Sequence, residues 1–301
     1  MFRRLHAFIA LTALIATLVI APTNSVSANG PTPPEALGLS SHTVKLSTGV
    51  TLHYVEKGKG KDNVIIFLHG YTDSWRSFER NLPLISSKYH VYALDQRGHG
   101  DSSRPACCYT QADFAKDVVA FMDSQGIKRA NLVGHSMGSF IAHKVATDYR
   151  TRVDKLVLIG SAPTSAGNEV IIGLNEAVQT LEDPIDPAFV RDFQASTFYR
   201  PIPDEFLDTA VSESLKVPAS VWKQALNGLI AENHSAKLGR IHARTLIIYG
   251  DQDGIFTLAD QQALVKAIPH AKLVVYTQTG HGTHVEQPQR FVADLQAFLA
   301  K

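Results

Sequence analysis

The chain has 301 residues, of which 45% are hydrophobic and 19% are charged. This composition places the chain in the globular class, with room for one large domain or two modest ones. Basic side chains number 29 and acidic ones 28, a near-neutral balance that carries no signature of nucleic-acid binding.

The N-terminus has the pattern of a secretory signal peptide. Arg3 and Arg4 precede an apolar run over residues 5–21, and the small-residue stretch NSVSANG follows it. A charged start, an apolar run and a small-residue site together predict a signal peptide over residues 1–28, cleaved after Ala28. An uncleaved anchor is the alternative, but the run is short for a hydrocarbon core about 30 Å thick. We therefore expect a secreted or periplasmic protein.

Cleavage would remove two of the 29 basic side chains and none of the acidic ones, which leaves 27 against 28. No later segment is long and apolar enough to span a bilayer, and no basic amphipathic helix marks a membrane surface. We expect the mature chain to be soluble, without stable membrane insertion.

The only two cysteines are neighbours, Cys107 and Cys108. Export would permit disulfides, but adjacent cysteines close only a very small, strained ring. We therefore expect two thiols in a loop, with a vicinal or an intermolecular disulfide as the alternative. A metal site would need further ligands at suitable spacing, and none lies nearby in the sequence.

Alternating strand and helix patterns begin after a linker over residues 29–40 and a hairpin over residues 41–60. Apolar runs that end in loops predict strands buried on both faces. Helical patterns separate these runs, and the order predicts a mostly parallel sheet with helices on both sides. The strand runs lie at 63–70, 90–98, 130–136 and 153–163, and the helical patterns lie at 75–86, behind a capping box at Thr110 and Asp113, and at 137–149.

A segment of about 75 residues then interrupts the alternation. It contains prolines, charges and amphipathic stretches such as SVWKQALNGLIAEN, but no clear buried strand. Because it is too long for a connecting loop, we interpret residues 164–240 as an inserted helical cap. Strand patterns at 243–253 and 271–281 and a closing helix resume the sheet. The predicted core therefore comprises residues 41–163 and 241–301.

Four loops carry chemically apt residues at the predicted carboxyl ends of strands, where ligands bind in open α/β sheets. They read FLHGYTDSW, GHSMG, YGDQDGIF and TGHGTHVEQP in chain order. Ser136, in the second loop, is a weak nucleophile unless a base and a partner for that base lie nearby. His281 and Asp253 are available at later strand ends. Gly134 and Gly138 suit a sharp, crowded turn around the serine.

The motifs HGY, DQRGHGDS, GHSMG, GDQD and GHGTHVEQP follow one another in an order that resembles the α/β-hydrolase superfamily, over nearly all of the mature chain. The resemblance implies an α/β-hydrolase fold, with a mostly parallel central sheet, flanking helices and an inserted helical cap. It implies that Ser136 is the nucleophile, His281 the base and Asp253 the acid, with no cofactor. The backbone N–H groups of Tyr71 and Met137 would form the oxyanion hole.

Several residues near the motifs allow other interpretations. Asp251 also lies near the acid position, where we expect it to brace the loop instead. His284 and Glu286 close to His281 could suggest a metal site, but a third ligand at fixed spacing is missing, so we expect no metal. Ser136 itself could be an ordinary serine at a helix entry.

The remaining polar motif residues have structural interpretations. We expect three histidines to brace loops through hydrogen bonds, with His135 pointing away from the site if the sharp turn forms. Asp95, Arg97 and Asp101 are expected to hold their loop through ion pairs and turns. Ser139 departs from the family, in which a third glycine is frequent, and could alter packing behind the nucleophile. The three histidines are His69, His99 and His135.

A serine nucleophile suits acyl transfer. We expect an exported serine hydrolase that cleaves a small or medium uncharged ester or lactone through an acyl-enzyme. Carbon–carbon bond hydrolases and cofactor-free perhydrolases share the triad and remain alternatives, as does a non-catalytic ligand-binding protein on the same fold. Aromatic side chains of the cap could line the pocket or form the cap's own core. They are Phe189, Phe193, Phe198, Tyr199, Phe206 and Trp222.

Overall fold

The computed structural model of the chain describes residues 30–60 and 62–301. The predicted signal peptide and its cleavage site after Ala28 lie outside the described residues. In the part of the chain that the structure describes, no helix is long and apolar enough to cross a membrane.

Eight strands form one sheet in the order β1-β2-β4-β3-β5-β6-β7-β8. The pairs β1–β2 and β2–β4 are antiparallel, and the other five pairs are parallel. Every residue of β3, β4 and β5 is buried, as continuous apolar runs predict. The strands are β1 (Ser40–Lys45), β2 (Thr51–Lys57), β3 (Val64–Leu68), β4 (His90–Leu94), β5 (Ala130–His135), β6 (Val153–Ile159), β7 (Arg244–Gly250) and β8 (Lys272–Tyr276).

Helices cover both faces of the sheet. Along β3, Ile66 packs in one apolar cluster with Phe114 and Phe140, whereas Ile65 packs in another with Phe291. This alternation follows from the two-residue period of a strand. The helices are α1 (Gln111–Ser124), α2 (Met137–Asp148), α3 (Glu169–Gln179), α4 (Pro187–Ser196), α5 (Asp204–Leu215), α6 (Ala219–Ala231), α7 (Leu258–Ala267), α8 (Thr283–Glu286) and α9 (Pro288–Leu299).

The capping box predicted at the start of α1 is confirmed. The Thr110 hydroxyl accepts a hydrogen bond from the Asp113 backbone N–H, and the Asp113 carboxylate accepts one from the Thr110 backbone N–H. Two of the free N–H groups at the helix start are thereby paired.

The helix predicted around residues 75–86 is absent. The segment forms two short 3₁₀ turns, Trp75–Phe78 and Leu82–Leu84. A continuous helix would place Pro83 in its interior, where the proline ring lacks a donor and clashes with a carbonyl of the preceding turn. The first turn is instead capped by the Ser74 hydroxyl, which accepts from the Arg76 backbone N–H.

Part of the segment predicted as a linker packs against the sheet. Residues Pro34–Leu37 form a 3₁₀ turn, and Leu39 is 3% exposed within the cluster on the α9 face. The hairpin of β1 and β2 follows as predicted, with antiparallel pairing from Ser40 to Lys45.

Cys107 and Cys108 form a vicinal disulfide, so the prediction of two thiols is wrong. The backbone at Cys108 has a φ of 80°, in the left-handed region. The Cys108 carbonyl accepts a hydrogen bond from Arg97 Nη1 at 2.7 Å, which fixes the turn to the core. The sequence favoured thiols because it does not reveal such a turn.

Four helices, α3 to α6, occupy the segment between β6 and β7. We use the word cap for the inserted residues 164–240. The first residue of the cap, Thr164, forms an antiparallel bridge with Asn233, which lies just after α6. The Thr164 hydroxyl also donates to the Glu232 carbonyl at 3.2 Å.

Candidate active site

Ser136 lies in a strained turn between β5 and α2. Its backbone has φ 51° and ψ −122°, outside the regions that non-glycine residues ordinarily occupy. A Cβ on Gly134 would collide with the Gly138 carbonyl, and a Cβ on Gly138 would collide with the Leu68 carbonyl. The two glycines are therefore required by close backbone approach. Strain of this kind costs roughly 1–3 kcal/mol and persists where the surroundings enforce it.

His281 and Asp253 are paired beside this turn. His281 Nδ1 lies 2.9 Å from Asp253 Oδ2, and both side chains are buried. The other Asp253 oxygen accepts from the backbone N–H groups of Ile255 and Phe256, at 2.8 and 3.1 Å. Because a carboxylate can only accept, Nδ1 of His281 carries the proton and Nε2 holds the free lone pair.

His281 lines the same pocket as Ser136. Among the described residues, Nε2 of His281 has no hydrogen-bond partner. Gly160, which sequence reasoning missed, makes room for this ring: a Cβ there would lie 2.7 Å from two imidazole atoms. Its position directly after the apolar run of β6 was the available signal.

Asp251 does not contact His281. Its carboxylate accepts from the Thr279 backbone N–H at 3.3 Å and from Gln252 Nε2 at 3.3 Å. These contacts brace the loops that follow β7 and β8, the role expected for Asp251.

The backbone N–H groups of Tyr71 and Met137 are the predicted oxyanion donors. Met137 is the first residue of α2, where an amide has no intrahelical acceptor. Tyr71 lies in a turn closed by a hydrogen bond from the Asp73 N–H to the Gly70 carbonyl at 3.4 Å. We call residues 70–73 the 70–73 turn. Within the described residues, neither the Tyr71 nor the Met137 N–H donates to a protein acceptor.

His135 does not point away from the site, so that prediction is wrong. It lines the pocket, with its ring 4.8 Å from the His281 ring and 4.5 Å from the His284 ring. Its Nε2 lies 3.3 Å from the His281 carbonyl. Burial, reinforced by the two neighbouring histidines, lowers the pKa of His135 well below its ordinary value. The uncharged imidazole ring of His135 therefore forms part of the pocket wall.

His284 and Glu286 do not converge with His281 on a metal. His284 Nε2 lies 3.1 Å from the Ser77 hydroxyl, and burial, with the nearby His281, lowers its pKa to about 3. Glu286 accepts from the backbone N–H groups of Gly280 and Arg200, at 2.9 and 2.8 Å.

One cluster elsewhere has the composition of a metal site. It joins His53, Asp95 and Asp101. Asp95 already accepts from His53 Nδ1, from the Trp75 N–H and from the Asp101 N–H, at 2.6, 2.7 and 2.9 Å. These three hydrogen bonds occupy most of the roughly four acceptor sites of the carboxylate, so the cluster fits a loop brace better than a metal centre.

The other predicted braces are confirmed. Arg97 forms a bidentate pair with Asp117 at 2.6 and 2.7 Å, and Asp101 pairs with Lys216 at 2.9 Å. His69 lies 2.8 Å from the Gly70 carbonyl and accepts from the Gln96 N–H, and His99 lies 2.8 Å from the Arg97 carbonyl. Ser139 donates to the Ser136 carbonyl at 2.6 Å, and its hydroxyl oxygen lies 2.8 Å from the Ser161 hydroxyl, so hydrogen-bonded groups fill the space behind the turn.

The pocket holds about 610 Å³ including its opening. Three of the six predicted aromatics line it: Phe193, Phe198 and Phe206. Trp222 packs edge-on against Phe193 and Tyr71, at 5.5 and 5.3 Å between ring centroids, and so supports the wall from behind. Phe189 packs against Trp222, at 6.0 Å, whereas Tyr199 is 55% exposed. Some of the cap aromatics therefore line the pocket, and others pack against one another inside the cap.

A polar side of the same pocket is lined by Asp73, Arg76 and Glu213. Arg76 is already engaged, with Glu79 at 3.1 Å and Glu213 at 3.6 Å. Burial raises the pKa of the Asp73 carboxyl above its ordinary value. The residues that line the pocket therefore offer no cationic side chain that is free of a carboxylate partner.

Residues 63–288 match the family model of the alpha/beta hydrolase fold. The chain belongs to this family. The match covers the sheet from β3 onward, the cap and the loops that carry the four motifs, and it confirms the fold class predicted from the sequence.

Individual relatives differ in their named activities. The chain is 30% identical over 258 residues to the dihydrolipoyllysine-residue acetyltransferase component of the acetoin cleaving system of Cupriavidus necator, covering 83% of this chain and 67% of that protein. It is 29% identical to 2-hydroxy-6-oxononadienedioate/2-hydroxy-6-oxononatrienedioate hydrolase of Paraburkholderia phymatum, covering 84% and 92%. It is 26% identical to 3-oxoadipate enol-lactonase 2 of Acinetobacter baylyi, covering 84% and 94%.

A solved esterase has the same fold. The enzyme from Exiguobacterium antarcticum superposes with a TM-score of 0.80 at 22% identity, covering 87% of this chain and all of that chain. At this identity the likeness extends to the fold alone.

Proposed function

We propose that this protein is an exported serine hydrolase that cleaves an uncharged carboxylic ester or lactone. The observation that carries the proposal is the strained turn at Ser136 together with the His281–Asp253 pair, because Ser136 and His281 line the same pocket. A binding protein has no need of such strain, nor of a buried imidazole with one nitrogen held by a carboxylate.

In the first half of the reaction, the Ser136 hydroxyl attacks the substrate carbonyl while its proton passes to His281 Nε2. The negative charge that develops on the carbonyl oxygen is held by the Tyr71 and Met137 N–H groups, each worth about 3–4 kcal/mol in the transition state. The charge on His281 is stabilised by Asp253. His281 then gives the proton to the departing alcohol oxygen, which leaves an acyl-enzyme.

In the second half, a water molecule gives its proton to His281 Nε2 and attacks the acyl carbon. The same two N–H groups hold the second oxyanion. Its collapse breaks the bond to Ser136, which recovers its proton from His281, and the carboxylic acid leaves. In a lactone the leaving alcohol and the acid remain one molecule.

The charges of the pocket favour an uncharged substrate. Asp73 and Glu213 both line it, and Arg76 is held by Glu79 and Glu213. A dicarboxylate, which the name of the Paraburkholderia relative specifies for that protein, would meet two carboxyl groups here and no free cation among the lining residues. Burying an unpaired carboxylate is costly.

Carbon–carbon bond hydrolysis by the same residues is the second candidate. It is favoured by the names of several relatives, which are 2-hydroxy-6-oxononadienedioate/2-hydroxy-6-oxononatrienedioate hydrolases. A panel of p-nitrophenyl acetate and butyrate, neutral lactones, and vinylogous diketones with and without carboxylates separates the two. We expect turnover of the neutral esters or lactones and little of the dicarboxylates. Preferred turnover of a charged diketone would replace our proposal with the second candidate.

The comparison of wild type with Ser136→Ala tests the chemistry itself. We expect kcat on the ester to fall by on the order of 10⁶-fold, and a fluorophosphonate probe to label the wild type at Ser136 only. Ser212→Ala, an exposed serine of α5, is the matched control and should keep wild-type activity. Equal turnover by wild type and Ser136→Ala would reject the assignment.

Export rests on the pattern of residues 1–28. We expect the full chain, expressed in a bacterium with two membranes, to be recovered from the periplasm or medium with Asn29 as its first residue. A cytoplasmic product that retains Met1 would contradict this part of the proposal.

A further inference from the structure

The 70–73 turn is strained at Thr72. Thr72 has a φ of 62° and is fully buried. It occupies the third position of the turn, where a left-handed backbone ordinarily requires glycine or asparagine. For a β-branched residue this conformation is an outlier, and it persists only if neighbouring groups hold it.

The groups that hold Thr72 belong to the cap. The Ser214 hydroxyl, on α5, donates to the Thr72 carbonyl at 3.1 Å and lies 3.2 Å from the Thr72 hydroxyl. Gln194 Nε2, on α4, donates to the Ser214 hydroxyl at 2.8 Å and to Asp73 Oδ1 at 3.0 Å. When the Thr72 hydroxyl donates to it, Ser214 gives one hydrogen bond and accepts two, its full capacity.

A third cap helix contacts the same turn. The Tyr71 hydroxyl donates to the Trp222 carbonyl, on α6, at 2.7 Å. Tyr71, Thr72, Ser214 and Trp222 are each less than 8% exposed, so water does not compete for these bonds. The turn that contains Tyr71 is therefore bonded to three cap helices.

We propose that Ser214 is a positioning residue for catalysis: its hydroxyl holds Thr72 in the left-handed conformation and so directs the Tyr71 N–H at the reacting carbonyl oxygen. This inference rests on the proposed function, in which Tyr71 is an oxyanion donor. A donor acts fully only where it is already aimed at the oxyanion, and a displacement of about 1 Å can cost on the order of 10²-fold in rate. The cap thus sets turnover as well as pocket shape.

Ser214→Ala tests the proposal against Ser212→Ala, which removes an exposed hydroxyl from the same helix. We expect kcat for p-nitrophenyl butyrate to fall roughly 10- to 100-fold in Ser214→Ala, with KM changed less than about threefold, because the donor acts in the transition state. Ser212→Ala should match the wild type. A Ser214→Ala kcat equal to that of Ser212→Ala, or a loss confined to KM, overturns the proposal.

A rescue separates positioning from cap packing. Glycine adopts a positive φ without strain, so adding Thr72→Gly to Ser214→Ala should recover kcat by roughly fivefold or more. If the double variant is no faster than Ser214→Ala, the hydroxyl does not act through the turn and the proposal fails. Should Ser214→Ala not fold, Ser214→Cys, which keeps a weak donor, replaces it with the same expectations in direction.

Hydrogen exchange of the peptide containing the 70–73 turn gives a readout that needs no substrate. We expect its amides to exchange at least about tenfold faster in Ser214→Ala than in Ser212→Ala, because the turn opens more readily without the hydrogen bonds of the Ser214 hydroxyl. If the wild type hydrolyses no ester, the proposed function fails, but this measurement still tests whether Ser214 holds the turn. Equal exchange in the two variants overturns the proposal that Ser214 holds the turn, whatever the activity.

Discussion

The Nδ1 atom of His281 lies 2.9 Å from Asp253 Oδ2, and the second carboxylate oxygen of Asp253 is held by two backbone N–H groups. This arrangement fixes which imidazole nitrogen carries the proton. We expect Asp253→Asn to lower kcat by on the order of 10⁴-fold, because an amide donating to Nδ1 would favour the wrong tautomer. Ester hydrolysis under saturating substrate measures this effect.

Asp251→Asn is the matched control, two residues away on the same loop. Among the described residues, the Asp251 carboxylate accepts hydrogen bonds from Thr279 and Gln252 and none from His281. We therefore expect the kcat of Asp251→Asn to stay within a few-fold of the wild type. The opposite ranking of the two variants would transfer the role of acid to Asp251.

Gly138→Ala should destabilise the protein, because its Cβ would collide with the Leu68 carbonyl. We expect a loss of roughly 1–3 kcal/mol or more in the free energy of unfolding, typical of overpacking at a rigid site. Gly173→Ala is the control, since a Cβ at that exposed position of α3 meets nothing within 4 Å.

Gly173→Ala should instead raise the free energy of unfolding by roughly 0.5–1 kcal/mol, the ordinary gain in helix interiors. Urea unfolding followed by circular dichroism measures both variants. Stability of Gly138→Ala at or above that of Gly173→Ala would show that the close approach beneath Ser136 is absent.

The buried carboxyl of Asp73 should make stability depend on pH. Burial raises its pKa above the ordinary 3.8, so the folded state binds this proton more tightly than the unfolded state. The penalty for ionising Asp73 is therefore absent below pH 3.8 and grows as pH rises through the raised pKa.

Asp73→Asn removes that charge and keeps an oxygen for Gln194 Nε2. We expect its Tm at pH 7 to exceed that of the wild type by a few degrees, corresponding to about 1 kcal/mol, and the difference to vanish below pH 3.8. Asp192→Asn, exposed on α4, should show no such trend. A difference that grows on acidification would have the wrong sign for a buried acid.

Cys107 and Cys108 should not react with thiol reagents until their disulfide is reduced. We expect a maleimide to add no label to the unfolded, unreduced protein and two labels per chain after reduction, because the chain has two cysteines and they are bonded to each other. Mass spectrometry counts the labels. Two labels without reduction would restore the expectation of free thiols.

Continuous apolar runs and strand-end motifs sufficed to predict the sheet and the positions of Ser136, Asp253 and His281. Each of these features is local: a strand buried on both faces must be apolar along its length, and glycines must flank a crowded turn. The capping box at Thr110 belongs to the same class. Each of these signals can be recognised within a few neighbouring residues of the sequence.

The features that escaped prediction depend on distant contacts. The His135 ring packs against the rings of His281 and His284, which lie far along the chain. Thr72 adopts a glycine-like φ because Ser214, 142 residues later, holds it. The pairing of Cys107 with Cys108 is local, but the left-handed backbone at Cys108 is not indicated by any residue preference.

Thr164, at the start of the cap, pairs with Asn233, which follows the last cap helix, so the four cap helices lie between two paired residues. Replacing this segment would leave every strand of the sheet unchanged. If Ser214 positions the turn as we propose, a replacement cap must also supply that hydroxyl. A new cap without it could change the substrate range of the enzyme but would lower its kcat.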